Sequence, residues 1–138
     1  MAQRDADAKE SLVSCQSKTK SILGMAGHTQ ELPLFARRMK AARERLGISQ
    51  MELGVRAGID EFSSSARINQ YERGKHAPDF LTAKHLAKAL GVPTAYFYAE
   101  DDNLAELVAL FGQLKTAERK ELLGFASLIG EAKAGKGK

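Results

Sequence analysis

Side chains able to do covalent or metal chemistry are sparse in this sequence. His28, His76 and His85 share no metal-ligand spacing, Cys15 stands alone, and no Ser, Cys or carboxylate pair sits in a catalytic arrangement. Neither a metal, another cofactor nor an enzyme activity is expected. What the chain offers instead is hydrogen bonding along a row. From Ser63 to His76 it reads Ser-Ser-Ser-Ala-Arg-Ile-Asn-Gln-Tyr-Glu-Arg-Gly-Lys-His. Wound as a helix at about 100° per residue, this stretch turns Ile68, Tyr71, Ser64 and Glu72 inward. Ser63, Ala66, Gln70 and Arg73 then face outward, flanked by Arg67 and Asn69. The outward side is small and hydrogen-bonding at its centre and cationic at its edges. Such a surface can lie in a groove of DNA, where Gln pairs with adenine and Arg with guanine or phosphate. The same side also suits an ordinary solvated helix, so the surrounding elements decide.

Those elements read as helices throughout. A first helix is expected over Pro33 to Leu46, with Phe35, Met39, Ala42 and Leu46 as its apolar stripe and Gly47 as its stop. A second begins at Ser49, an N-cap whose capping box is completed by Glu52, and ends at Gly58. Met51, Leu53 and Ala57 should face inward. Gly54 is costly inside a helix and implies that another helix crosses closely there. Asp60, or one of Ser63, Ser64 and Ser65, caps the polar helix, which stops at Gly74. A fourth helix spans Phe80 to Leu90 with Phe80, Leu81, Leu86, Ala87 and Leu90 as its apolar set. A short fifth follows Pro93-Thr94, and Tyr96, Phe97 and Tyr98 close the core. Glu100-Asp101-Asp102 reads as an acidic hinge of solvated caps. Leu104, Leu107, Val108 and Phe111 make a further amphipathic helix, and Gly112 is placed to break or bend it. Thr116 opens a last helix containing Leu122, Leu123, Phe125, Ala126, Leu128 and Ile129, too apolar to stand alone in water. Residues 1–30 read as a flexible N-terminal tail with a transient helix near Ala6–Val13 and an alternative start at Met25. Residues 132–138 read as a disordered Lys/Gly tail.

The bulk numbers agree with a small helical protein. The 138 residues hold one compact domain with extensions, and the core must be built from Leu, Ile, Val, Ala and Met because aromatics are few and Trp is absent. Twenty-one Lys and Arg against 17 Asp and Glu give a formal charge of +4, compatible with a polyanionic partner. One cysteine forms no internal disulfide, and no apolar run approaches the roughly 20 residues needed to span a bilayer. The N-terminus lacks the basic start and apolar block of a secretory signal, so a cytoplasmic location is expected.

Three stretches together carry a family resemblance. They are Arg43…Gly47-Ile48-Ser49-Gln50…Leu53…Ala57-Gly58-Ile59; Ile68…Tyr71-Glu72-Arg73-Gly74-Lys75…Pro78; and Leu86-Ala87…Ala89-Leu90-Gly91-Val92. In order and spacing they resemble the Cro/repressor-type helix-turn-helix, the XRE family, over about Phe35 to Tyr98. The resemblance implies an all-α, lambda-repressor-like bundle of five helices over residues 31–99; the apolar pattern beyond it adds a C-terminal helical extension over 100–131. It implies that the second and third helices read double-stranded DNA, a docking geometry of which repressors of this type are the standard example. By position, Ser65, Ala66 and Gln70 fall at base-reading places, with Arg67 and Asn69 as secondary contacts. Ser49, Gln50, Arg73, Lys75 and His76 are the expected phosphate contacts, and Arg43 and Glu72 match a buried ion pair. The sequence departs from the family between Gly58 and Ile68, which is about four residues longer than the common pattern. The extra residues either lengthen the turn or add a turn to the third helix, and in that case Ser63 or Ser64 joins the contacts or Arg67 moves to the centre.

The leading expectation is a sequence-specific transcriptional regulator, a repressor by preference although the sequence itself does not separate repression from activation, that binds as a homodimer; the helices from Leu104 to Ile129 are the natural dimer surface, with packing inside one subunit as the alternative. The alternative is an antitoxin-like regulator whose C-terminal helices hold a protein partner. No membrane association and no small-molecule ligand is expected.

Overall fold

The computed structural model describes residues 31–137, and the N-terminal tail expected over residues 1–30 lies outside them. Among the described residues the chain forms six α-helices and one 3-10 helix, with no strand. α1 runs Leu34–Leu46, with Pro33 just before its first residue and Gly47 ending it at φ 68°. α2 is short, Gln50–Arg56, and the Ser49 hydroxyl accepts the Glu52 N–H at 3.0 Å. Only half of the expected capping box forms, because Glu52 turns its carboxylate to Arg56, one turn along the same helix. α3 spans Glu61–Glu72 and is capped by Asp60, which accepts from the Ser63 N–H. The extra residues therefore add a first turn to α3 rather than lengthening the loop before it.

α4 spans Phe80–Leu90 between the Asp79 cap and Gly91, and a 3-10 helix follows over Thr94–Tyr98. Met39 of α1, Leu53 of α2, Ile68 of α3, Leu86 of α4 and Phe97 of the 3-10 helix meet in a core with almost no solvent exposure. Each short helix thus contributes one large apolar residue to a shared interior, as it must when no pair of helices buries enough alone. Phe35 extends this core, its ring 4.5 Å from that of Phe97 and 5.9 Å from that of Tyr98.

Some apolar residues face outward instead. Leu46, Met51, Phe80, Leu81 and Tyr98 are exposed, although the helical pattern assigned them to the interior. Leu46, Phe80 and Leu81 lie at helix ends, beyond the reach of the neighbouring helices. Ala36 and Ala83 take the inward places.

Arg38 fixes the exit from the bundle. Its guanidinium donates to the Ala99 carbonyl at 2.8 and 3.0 Å, to the Glu100 carbonyl at 3.2 Å and to Asp102 at 2.8 Å. Asp101 caps α5, Asp102–Gln113, which sets Ala105 and Ala109 against the core. α6 covers Thr116–Lys136. Its cap position is Lys115, not the expected Thr116, and the Lys115 N–H donates to Glu118 at 2.7 Å. Arg119 donates to the Phe111 and Gly112 carbonyls at 3.1 Å and joins the two helices. The stretch after Ala132 is helical to Lys136 rather than irregular, consistent with its Ala and Lys content. No residue of α6 is buried.

Candidate nucleic-acid interface

α2 and α3 cross where the sequence allows the closest approach. A methyl group on Gly54 would stand 2.5 Å from Ser64 Cβ, so glycine is what lets the helices touch. Ser64 is fully buried at this crossing, and its hydroxyl donates to the Asp60 carbonyl at 2.7 Å and lies 3.1 Å from that of Ile59. That corrects one expectation: Ser64 is a packing residue and offers no surface to bases. The burial follows from the added turn, which carries Ser64 inward onto α2, one turn before Ile68.

Ile68, Tyr71 and Glu72 complete the inward side of α3. Glu72 holds the two helices to α1. Arg43 Nε donates to Glu72 Oε1 at 2.6 Å and Nη2 to Oε2 at 3.2 Å, a two-pronged pairing. Gln50 Nε2 donates to the same carboxylate at 2.8 Å, and Arg43 also reaches the Ile48 carbonyl at 2.9 Å. With its side chain only 4% exposed, Glu72 is nearly cut off from water, and these donors replace its hydration. The hydrogen bond to Glu72 pushes the Arg43 guanidinium above its already high range, so it stays charged.

The outer side of α3 carries Ser65, Ala66, Arg67 and Gln70, all exposed, with Asn69 half-buried beside them. Arg67 is on the flank toward α4, where its charge acts on Asp79. Hydrogen bonds from the Thr82 hydroxyl and N–H, helped by Arg67 and His85, hold the Asp79 carboxyl below the usual carboxylate range. Beyond the C-terminal end of α3, a cleft of about 650 Å³ is lined by the cations of Lys40, Arg43, Arg73 and Lys75, the amides of Gln50 and Asn69, the carboxylates of Glu44 and Glu72, and Leu32, so cations outnumber carboxylates. Gln50, Arg73 and Lys75 therefore come together, whereas Ser49 and His76 are exposed outside the cleft lining. Gln50 has a structural bond to Glu72 in addition to any outward role.

Lys40, one of the basic residues that the sequence sets on the polar side of α1, where they suit either solvent or a phosphate backbone, joins the cleft. One feature of this surface escaped sequence reasoning. Phe62 is 97% exposed in the first turn of α3. Its signal was present, since it precedes Ala66 by one helical turn, but it counted only once Asp60 was known to be the cap.

A short supporting helix crossing a longer one, whose far side is polar and flanked by cations, defines a helix-turn-helix. A family model described as helix-turn-helix matches residues 39–97, which covers α2, α3 and most of the bundle around them. Among solved structures, the crystal structure of transcriptional regulator BswR is 48% identical to this chain, with a TM-score of 0.62. The match covers 67% of this chain and 92% of that one. Comparison with the curated proteins gives no match. The chain belongs to the XRE-type helix-turn-helix family and is a DNA-binding regulator.

Proposed function

We propose that the chain is a sequence-specific transcriptional regulator whose α3 enters the major groove. The observation that carries this reading is the division of α3. Its inner side is packed and tied down by Arg43 and Gln50, while its outer side is free and hydrogen-bonding and ends beside a cationic cleft. A reading helix needs that rigidity, because base edges are distinguished by donor and acceptor positions. Ser65, Ala66, Arg67, Asn69 and Gln70 face the bases. Ser49, Gln50, Arg73, Lys75 and His76 face the phosphates and supply affinity without sequence preference. The chain acts by binding rather than by catalysis, in the cytoplasm, and as a repressor: occupation of a site is enough to block access to the DNA it covers. One helix reads few base pairs, so a homodimer on a two-fold site completes the recognition.

The second reading, a regulator that holds a protein partner through its C-terminal helices, is favoured by α6, none of whose residues is buried and whose Leu123, Phe125, Leu128 and Ile129 are exposed. Binding measured against salt separates the phosphate contacts from the rest. Lys75→Ala is expected to weaken binding to every duplex alike and to flatten the slope of log K against log salt by about 1. An unchanged slope removes Lys75 from the phosphate contacts.

A further inference from the structure

The first turn of α3 has an unusual surface for the end of a DNA-facing helix. Asp60, Glu61 and Phe62 are all exposed, and no cation appears on α3 before Arg67. Two carboxylates repel phosphate, so this turn cannot hold the DNA backbone. Nor is Phe62 a core residue, since 97% of its surface is open to solvent. It is positioned firmly all the same. The Asp60 cap fixes the turn from one side, and Ser64, two residues on, is buried against Gly54. One helical turn separates Phe62 from Ala66, and a second separates Ala66 from Gln70, so the three follow one line along the outer side.

We propose that Phe62, with Ala66, packs on the 5-methyl group of a thymine in the major groove and is a specificity-determining residue of this protein. The chemistry is complementary. The thymine methyl is the apolar feature that a base pair shows in the major groove, and a phenyl ring beside a small alanine offers it a flat apolar seat. The proposal rests on the groove-reading function above.

The test uses the full-length protein and its preferred duplex, recovered by selection from random sequences. Each thymine is then replaced by uracil, which deletes the methyl and leaves the hydrogen-bonding edge unchanged. Wild type is expected to lose roughly fourfold in affinity at one thymine of each half-site, the value of one buried methyl group. Phe62→Ala should bind the parent duplex more weakly, show no further loss at that uracil, and keep the wild-type thermal midpoint because the side chain touches so little. If wild type selects no motif, groove reading fails and this proposal falls with it. If a motif is selected but Phe62→Ala keeps the full uracil penalty at every position, groove reading stands and Phe62 is not the methyl contact. A Phe62→Ala protein altered only in its self-association likewise overturns the proposal, assigning the ring to a contact between copies.

Discussion

Glu72 is the residue on which the orientation of α3 depends. Three donors from α1 and α2 converge on its carboxylate, and little solvent reaches it. Removing one partner of such a pair leaves a buried charge unpaired, which costs about 3–5 kcal/mol. Arg43→Met is therefore expected to lower the unfolding free energy by about 3 kcal/mol, read from the urea midpoint, a large share of the stability of a small domain. A loss below about 1 kcal/mol would mean that the pair is solvated in solution. Gly54 is the second sensitive position. Gly54→Ala puts a methyl into space already held by Ser64, and overpacking of this kind costs about 1–3 kcal/mol. Ser64→Gly should recover part of that loss despite its own helix penalty, so the double variant should be less destabilised than the sum of the two. Additive effects in thermal melts would show that the helices do not meet there.

At the scale of elements, the sequence was most informative where the signal is local. Glycines at 47, 74 and 91 end helices with φ near +70°, and Ser49 and Asp60 begin them. Caps and stops depend on a few adjacent residues, so they can be read without knowing the fold. Gly54 was informative for another reason: a costly residue within a helix signalled the close crossing with α3. What local pattern could not supply was the extent of the core. Met51, Phe80 and Leu81 carry apolar side chains on a plausible helical stripe, yet no neighbouring helix extends to cover them. Periodicity gives a direction around a helix axis, not the presence of something to pack against. The same limit applied to the candidate interface. The outward direction of Ala66 and Gln70 was legible, but the burial of Ser64, the exposure of Phe62 and the arrival of Lys40 from α1 all depend on how α3 meets its neighbours.

For the whole molecule, the surface available for assembly is on α5 and α6. Leu104, Leu107 and Leu110 on α5 and Leu123, Phe125, Leu128 and Ile129 on α6 are exposed, each close to or above half of its full surface. Apolar surface on this scale marks an interaction site, and a second copy of the same two helices would cover it. If the proposed homodimer forms there, replacing Phe125 and Leu128 together by Glu should yield a monomer in sedimentation equilibrium without lowering the thermal midpoint of the bundle, because neither residue contributes to the core. A variant that sediments as wild type would move the dimer contact elsewhere. The monomer should also bind DNA more weakly, since each subunit then holds its half-site alone.

Whether the outer side of α3 reads sequence is decided by selecting bound duplexes from a random pool with wild type, Gln70→Ala and Arg67→Ala in parallel. Both side chains are exposed, so neither change should disturb folding. The expected result is one preferred motif for wild type and, for each variant, lost discrimination at one position of each half-site worth about 1–3 kcal/mol. Recovery of the wild-type motif at unchanged affinity by both variants would mean that another surface reads the DNA.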